Sequence, residues 1–294
     1  MEHIMTVPKA GTPPRRWALV GYQTSGKSTF ATQMRQELML IDADNRFEQV
    51  SRFAVGEIRA IADPAARTDP KRINEIMLAA MPLLGDVQTI VVDSVTSIIQ
   101  PIIAHASAQV DAKEIKLPEL ARRKANAMTL IKTAVSRWNL DTLWVWHLNA
   151  GRGHGGDKQV TETVSRVERD RMRAVLNAEL LMVQDNGKHG IKVRWSRGGR
   201  AGYTLYDHSG HWAGMPEAID HAMYTNFSGE DEAIRWAVDN HGYTEDEARR
   251  FYNEVKAARK PKAAGAMWLY WTMAVLEIEQ ADAPQAEAHP RHTQ

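Results

Sequence analysis

One nonapeptide constrains this chain more than any other feature: Gly21-Tyr22-Gln23-Thr24-Ser25-Gly26-Lys27-Ser28-Thr29. It has the pattern G-x-x-x-x-G-K-[ST] and lies between an apolar run, Trp17–Val20, and a stretch that reads as a helix from Lys27, which is where a phosphate-binding loop must sit. The glycines let backbone N–H groups turn inward around phosphate oxygens. The helix N-terminus adds its dipole, Lys27 reaches the β and γ oxygens of a nucleoside triphosphate, and the Ser28 hydroxyl ligands Mg²⁺. The competing reading is a chance glycine-rich turn, and the flanking strand and helix argue against it. A second run, Thr89-Ile90-Val91-Val92-Asp93-Ser94, is a buried-strand pattern ending in an acid. Such an acid holds the Mg²⁺ shell in nucleotide sites, although β-formers ending in Asp also occur wherever a strand meets a loop. ATP and Mg²⁺ are the cofactors these two motifs imply.

Around the motifs, short apolar runs alternate with amphipathic stretches: Trp17–Val20, Leu38–Ile41, Thr89–Val92 and Thr142–Trp146, with helices from Lys27, over about 70–83 and within 95–138. That rhythm predicts an α/β fold with a mainly parallel sheet. Further on, Glu179–Gln184 and Ile191–Trp195 flank Asp185-Asn186-Gly187. Asn and Gly tolerate positive φ, so this is a hairpin signal and predicts an antiparallel edge. A helix is expected over about 162–177 and a glycine-rich loop over 149–157. From Met215 the pattern is helical, with Ser228-x-x-Asp231 and Thr244-x-x-Glu247 reading as capping boxes. The expected organisation is a flexible leader at 1–14, an ATPase-type core at 15–214, a small C-terminal helical domain at 215–280 and a disordered tail at 281–294.

Composition narrows the function classes. With no cysteine, the chain has no disulfide scaffold, thiolate metal site or cysteine nucleophile. The longest uncharged apolar stretch, Ser94–Val110, is interrupted by Gln100, Pro101 and His105, too short and polar to span a bilayer. The N-terminus has an early acid and no apolar run, so no signal peptide is expected and a cytoplasmic location is the default. The net charge of +1 conceals an asymmetry: residues 1–215 carry 29 Lys and Arg against 22 Asp and Glu, and 216–294 carry 8 against 14. A basic body with an acidic end suits a protein that meets a polyanion, and equally suits two parts that dock on each other.

Leu40-Ile41-Asp42-Ala43-Asp44 follows the phosphate-loop helix as the next strand, and at this point the chain resembles the RecA family of ATPases. The resemblance runs over about 16–206 through short motifs in order. In that family an acid at this strand end polarises the attacking water, which puts Asp44 in the role. The family's usual Glu is one methylene longer, so Glu48 is the second candidate, and a solvated loop acid is the plain alternative for either. The strand Thr142–His147 ends at the family's sensor position, which assigns His147 to the γ-phosphate, against a satisfied strand-end histidine. The glycine-rich loop beyond it resembles the family's mobile loop that grips DNA, against a plain flexible loop. Arg152, Lys158 and Arg166 would then meet the phosphate backbone of single-stranded DNA, and Lys192 and Arg194 on the hairpin resemble fingers that reach a neighbouring subunit's ATP, against a solvated strand face.

A RecA-like core without an N-terminal helical domain and with a short helical tail looks most like the phage Sak-type RecA-core ATPases. These assist single-strand annealing and recombination, usually beside a separate single-strand-binding protein. The resemblance implies a homo-oligomer, filament or ring. Two other readings stay open: a P-loop small-molecule or nucleoside kinase, for which Ala121-Arg122-Arg123-Lys124 is the candidate lid, and a nucleotide-dependent switch or DNA-packaging adaptor. Trp236, Trp268 and Trp271, at helical spacing among apolar residues, are expected to pack a core rather than stack on bases.

Overall fold

The computed structural model describes residues 13–152, 158–162 and 166–276, and gives the backbone alone for those of 149–169 and for 264. The expected tail lies outside these residues, as do positions 1–12 of the expected leader.

Five strands run parallel around and beside β1. β1 (Arg16–Gly21) lies between β5 (Asp141–Arg152) and β7 (Ala178–Asp185), while β4 (Thr89–Asp93) joins β5 to β2 (Leu38–Asp42), and β3 (Ile58–Ala60) forms the edge beyond β2. The central strands are continuous apolar runs because both sheet faces are covered. Helices α2 (Pro70–Ala80), α3 (Val95–Asp111) and α4 (Leu117–Ser136) share one buried cluster with Ala18, Ile41, Val92 and Trp146. α1 (Lys27–Ala31) and α6 (Met215–Tyr224) cover the opposite face, packing on Trp17, Leu19, Leu143 and Val145.

The antiparallel edge is where the turn signal predicts it. β7 pairs with β8 (Lys188–Ser196) through Asn186 and Gly187, which hold φ of 46° and 81°. β8 in turn pairs with β9 (Thr204–Tyr206), too short to register as a period. Residues 149–152 differ from the loop expected over 149–157, of which 153–157 lie outside the described residues. β5 continues to Arg152 and pairs antiparallel with β6 (Lys158–Glu162), whose Val160 and Thr161 are β-formers, and Arg152 stands opposite Lys158 in the register. The helix expected over 162–177 is the shorter α5 (Arg166–Arg173).

Among the described residues three helices follow α6: α7 (Glu230–His241), α8 (Glu245–Arg259) and α9 (Ala264–Val275). They enclose their own cluster, in which Trp271 and Trp268 are buried and Trp236 is partly so. Thr244 and Glu247 make the full capping box, whereas Ser228 donates to Glu232 rather than pairing with Asp231. Arg15, directly ahead of β1, is 2% exposed and ties α6 to the sheet through Asp220 at 2.6 Å and Glu217 at 2.8 Å.

Candidate functional site

The register collects the expected residues on one edge of the sheet. Gly21 pairs with His147 and Asp42 with Asp93, so the phosphate loop, the end of β5 and both acidic strand ends meet where the parallel strands finish, the place where open α/β sheets bind ligands. A cavity of about 610 Å³ opens there. Gln23, Thr24, Gly26, Lys27, Ser28 and Thr29 form its floor, and Asp44 and His147 also line it. Gly21 and Ser25 shape the turn instead: a Cβ on Gly21 would lie 2.7 Å from Ser25 Oγ and 2.8 Å from Met182. Gly26 holds φ of 89°, the left-handed region that glycine enters without cost.

Lys27 is only 4% exposed and donates to the carbonyl oxygens of Gly21, at 3.0 Å, and Tyr22. Burial pulls its ammonium down to about 8 against the attraction of Asp93 and Asp44, so an incoming phosphate meets a cation short of counter-charge. Asp93 lies behind the floor, 2% exposed, and accepts from Ser28 Oγ at 2.6 Å. Its carboxyl is pushed up to about 6, first by burial and then by Asp44 and Asp42, against the Ser28 hydrogen bond. A hydroxyl beside a carboxylate in need of positive charge fits Mg²⁺, which takes one or two protein oxygens and completes its shell with water and phosphate. Among the described residues no cluster of three or more His, Asp or Glu could cage a metal by itself.

Asp44 and His147 meet directly. His147 Nε2 is 2.9 Å from Asp44 Oδ2, and Asp44 Oδ1 accepts from Ser94 Oγ at 3.1 Å and from Ser97 Oγ. Burial raises the Asp44 carboxyl, but the hydrogen bonds from His147 and the two serines prevail and hold it at about 2. The arrangement is a carboxylate fixed in its ionised form beside a histidine at the cavity wall. Glu48 is exposed on the turn after Asp44 and does not line the cavity; its neighbours Arg46, Gln49 and Val50 do. Asp42 caps that turn, accepting from the N–H groups of Arg46 and Phe47 at 3.2 Å each.

The hydroxyl-bearing side chains that back Asp44 and His147 escaped the sequence reading. Ser94 caps α3, Thr96 Oγ1 accepts from the His147 N–H at 3.0 Å, and Ser97 and Gln100 line the cavity. The signal was the hydroxyl run Ser94-x-Thr96-Ser97 directly after Asp93, hidden because it opens an apolar stretch.

The remaining residues lie elsewhere. Arg194 stands at a bulge of the β7–β8 pair, 3.3 Å from Glu179, a fully buried acid that Arg173 also reaches at 3.1 Å. The sequence pattern gave no sign of this carboxylate, which engages one of the two expected fingers within the chain. Lys192, two residues earlier, is half-buried. The side chains of Arg152, Lys158 and Arg166 lie outside the described residues. Arg122 and Arg123, from the candidate kinase lid, pair with Glu119 at 2.7 and 3.4 Å on α4 and do not line the cavity.

A family model described as an AAA domain matches residues 13–122, a span that holds the phosphate loop, Asp44 and Asp93. No curated protein matches the chain. A solved structure, that of the RadB recombinase, is similar at a TM-score of 0.42 and 14% identity, over 67% of this chain and 88% of that one.

Proposed function

We propose that the chain is an ATP-hydrolysing protein with a RecA-like core that binds single-stranded DNA, promotes annealing or strand pairing, and works as a homo-oligomer. The observation that supports this reading best is the meeting of Lys27, Ser28, Asp44 and His147 around one cavity with Asp93 behind its floor, all but His147 within the span, 13–122, that is similar to AAA domains.

In this reading the loop N–H groups and Lys27 bind the triphosphate, relieving the charge deficit that burial leaves at Lys27. Ser28 and Asp93 hold Mg²⁺, which supplies neutralisation of phosphate charge when bound. Asp44 orients the attacking water and accepts its proton once His147 has turned to the γ-phosphate and no longer holds the carboxyl low. His147, hydrogen-bonded to Asp44, donates to the γ-phosphate once nucleotide is present. A nucleoside kinase would need a lid of several arginines over the phosphates; Arg122 and Arg123 face Glu119 instead, and among the described residues Arg46 is the one arginine that lines the cavity.

Support for DNA comes from charge. Residues 149–200 carry 11 Lys and Arg against 6 Asp and Glu, and the β5–β6 register sets Arg152 opposite Lys158 at the end of a ribbon that begins just after His147. Arg166 opens α5 just beyond. Cations so placed give sequence-independent backbone binding. Lys192 is the remaining candidate for a finger acting on a neighbouring subunit, and a single-strand-binding protein is the partner expected on the DNA. The test is turnover with and without poly-dT. We expect DNA to raise ATP hydrolysis, and neutralising Arg152 and Lys158 together to flatten the salt dependence of binding by about 0.7 in log–log slope for each phosphate left without its cation. DNA-independent turnover with an unchanged slope removes the DNA half of the reading.

A further inference from the structure

The phosphate loop rests on a residue far from it in sequence. Trp212, in the turn between β9 and α6, is 3% exposed. Its indole Nε1 lies 2.9 Å from where a Cβ on Gly26 would stand. Its ring meets Phe30 of α1 edge-on, with centroids 6.1 Å apart.

Trp212 holds this place in a backbone conformation that favours glycine, with φ of 68°. The turn has glycines at positive φ on both sides, Gly210 at 77° and Gly214 at 70°, so a turn that merely linked β9 to α6 would take glycine at 212 as well. Instead the strained position carries the largest side chain, and a local network holds it there. Asp207 accepts from the N–H groups of Ser209 and Trp212 at 2.9 and 3.3 Å, and Ser209 Oγ accepts from those of His211 and Ala213 at 3.2 and 3.0 Å. Strain kept in this way is held by its surroundings and collects at functional positions. The chain then enters α6, whose Asp220 bonds Arg15 at the far end of β1. The segment 207–220 thus meets the phosphate loop through Trp212 and, through Asp220, the residue that precedes β1.

We propose that Trp212 is a positioning residue for the phosphate loop, its indole fixing Gly26 and the start of α1 in the conformation that receives nucleotide phosphate. The proposal rests on the nucleotide-binding reading above. Trp212 does not line the cavity, so its effect belongs in binding rather than in the chemical step.

The full-length wild type, W212F and W212G are titrated with a fluorescent ADP analogue in Mg²⁺ by anisotropy, with circular-dichroism melts alongside. W212G relieves the backbone but removes the ring. If the loop is then competent in about one molecule in ten, the apparent dissociation constant rises about tenfold, while kcat at saturating ATP changes much less. W212F, which keeps an aromatic ring, stays within about threefold of wild type. Wild-type affinity in W212G overturns the proposal. Should W212G not fold, tryptophan emission decides: nucleotide is expected to change it in wild type and much less in W212F, and an equal change in both overturns the proposal. If wild type itself binds no nucleotide, the phosphate-site reading falls and takes this one with it; if wild type binds and W212G binds equally, only the role of Trp212 falls.

Discussion

Asp93→Asn is expected to make the nucleotide-free protein more stable while removing its activity. Asp93 is buried, and its carboxyl moves from an ordinary 3.8 to about 6. At 1.36 kcal/mol per pH unit, the charged form costs the fold about 3 kcal/mol above pH 6. Asparagine has nearly the same shape and its carbonyl still accepts from Ser28, so most of that cost is relieved. For a chain of this size each kcal/mol moves Tm by roughly 2–4 °C, and a gain of roughly 4–10 °C is expected at pH 8 in chelator. The sign follows from the direction of the shift. Because the folded value lies above the unfolded one, the penalty is complete above about 6, shrinks as pH falls and is gone below 3.8. The stabilisation should therefore fade in melts at about pH 4.5. Adding MgATP should close most of the gap, since at a hundred times Kd a ligand adds about 2.7 kcal/mol to a protein that binds it and less to the variant, which has lost half of its Mg²⁺ site. Scanning fluorimetry at two pH values with and without MgATP tests all of this. A variant that melts below wild type at the higher pH, or gains equally at the lower one, refutes the reasoning.

Asp44→Asn should bind ATP yet hydrolyse it about 10²-fold or more slowly, because an amide orients water but accepts no proton; Glu48→Gln, on an exposed side chain outside the cavity, should turn over like wild type. The reverse pattern in single-turnover assays would move the base to Glu48. Arg15→Met should cost about 3 kcal/mol in urea melts, since it leaves the buried Asp220 without its nearest cation and removes part of the positive charge that steadies Asp141. An unchanged midpoint would mean that Arg35, at 3.4 Å from Asp141 and 3.7 Å from Asp220, suffices alone.

The amino-acid order alone determined the parallel strands, because apolar runs of β-formers between amphipathic stretches have few other places to go, and it determined the hairpin, because Asn186-Gly187 encodes a positive-φ turn locally. It located the phosphate loop and Asp93 for the same reason: each motif is contiguous and its chemistry depends on neighbours in sequence. What it left open involves partners far apart in the chain. Asp44 against Glu48 turns on a β2 end that puts Asp44 within reach of His147, 103 residues on. Arg194 is engaged by a buried Glu179 across a bulge, and a period-two reading has no means of seeing a bulge. Strands of three residues, such as β3 and β9, are too short to carry a period and exist only because a neighbouring strand offers hydrogen bonds. Trp212 under Gly26 and Arg15 between Asp220 and Glu217 are the clearest cases. Each is an ordinary residue in a stretch without a motif, and its burial and contacts come from α6 folding back onto the sheet, which only the tertiary structure decides.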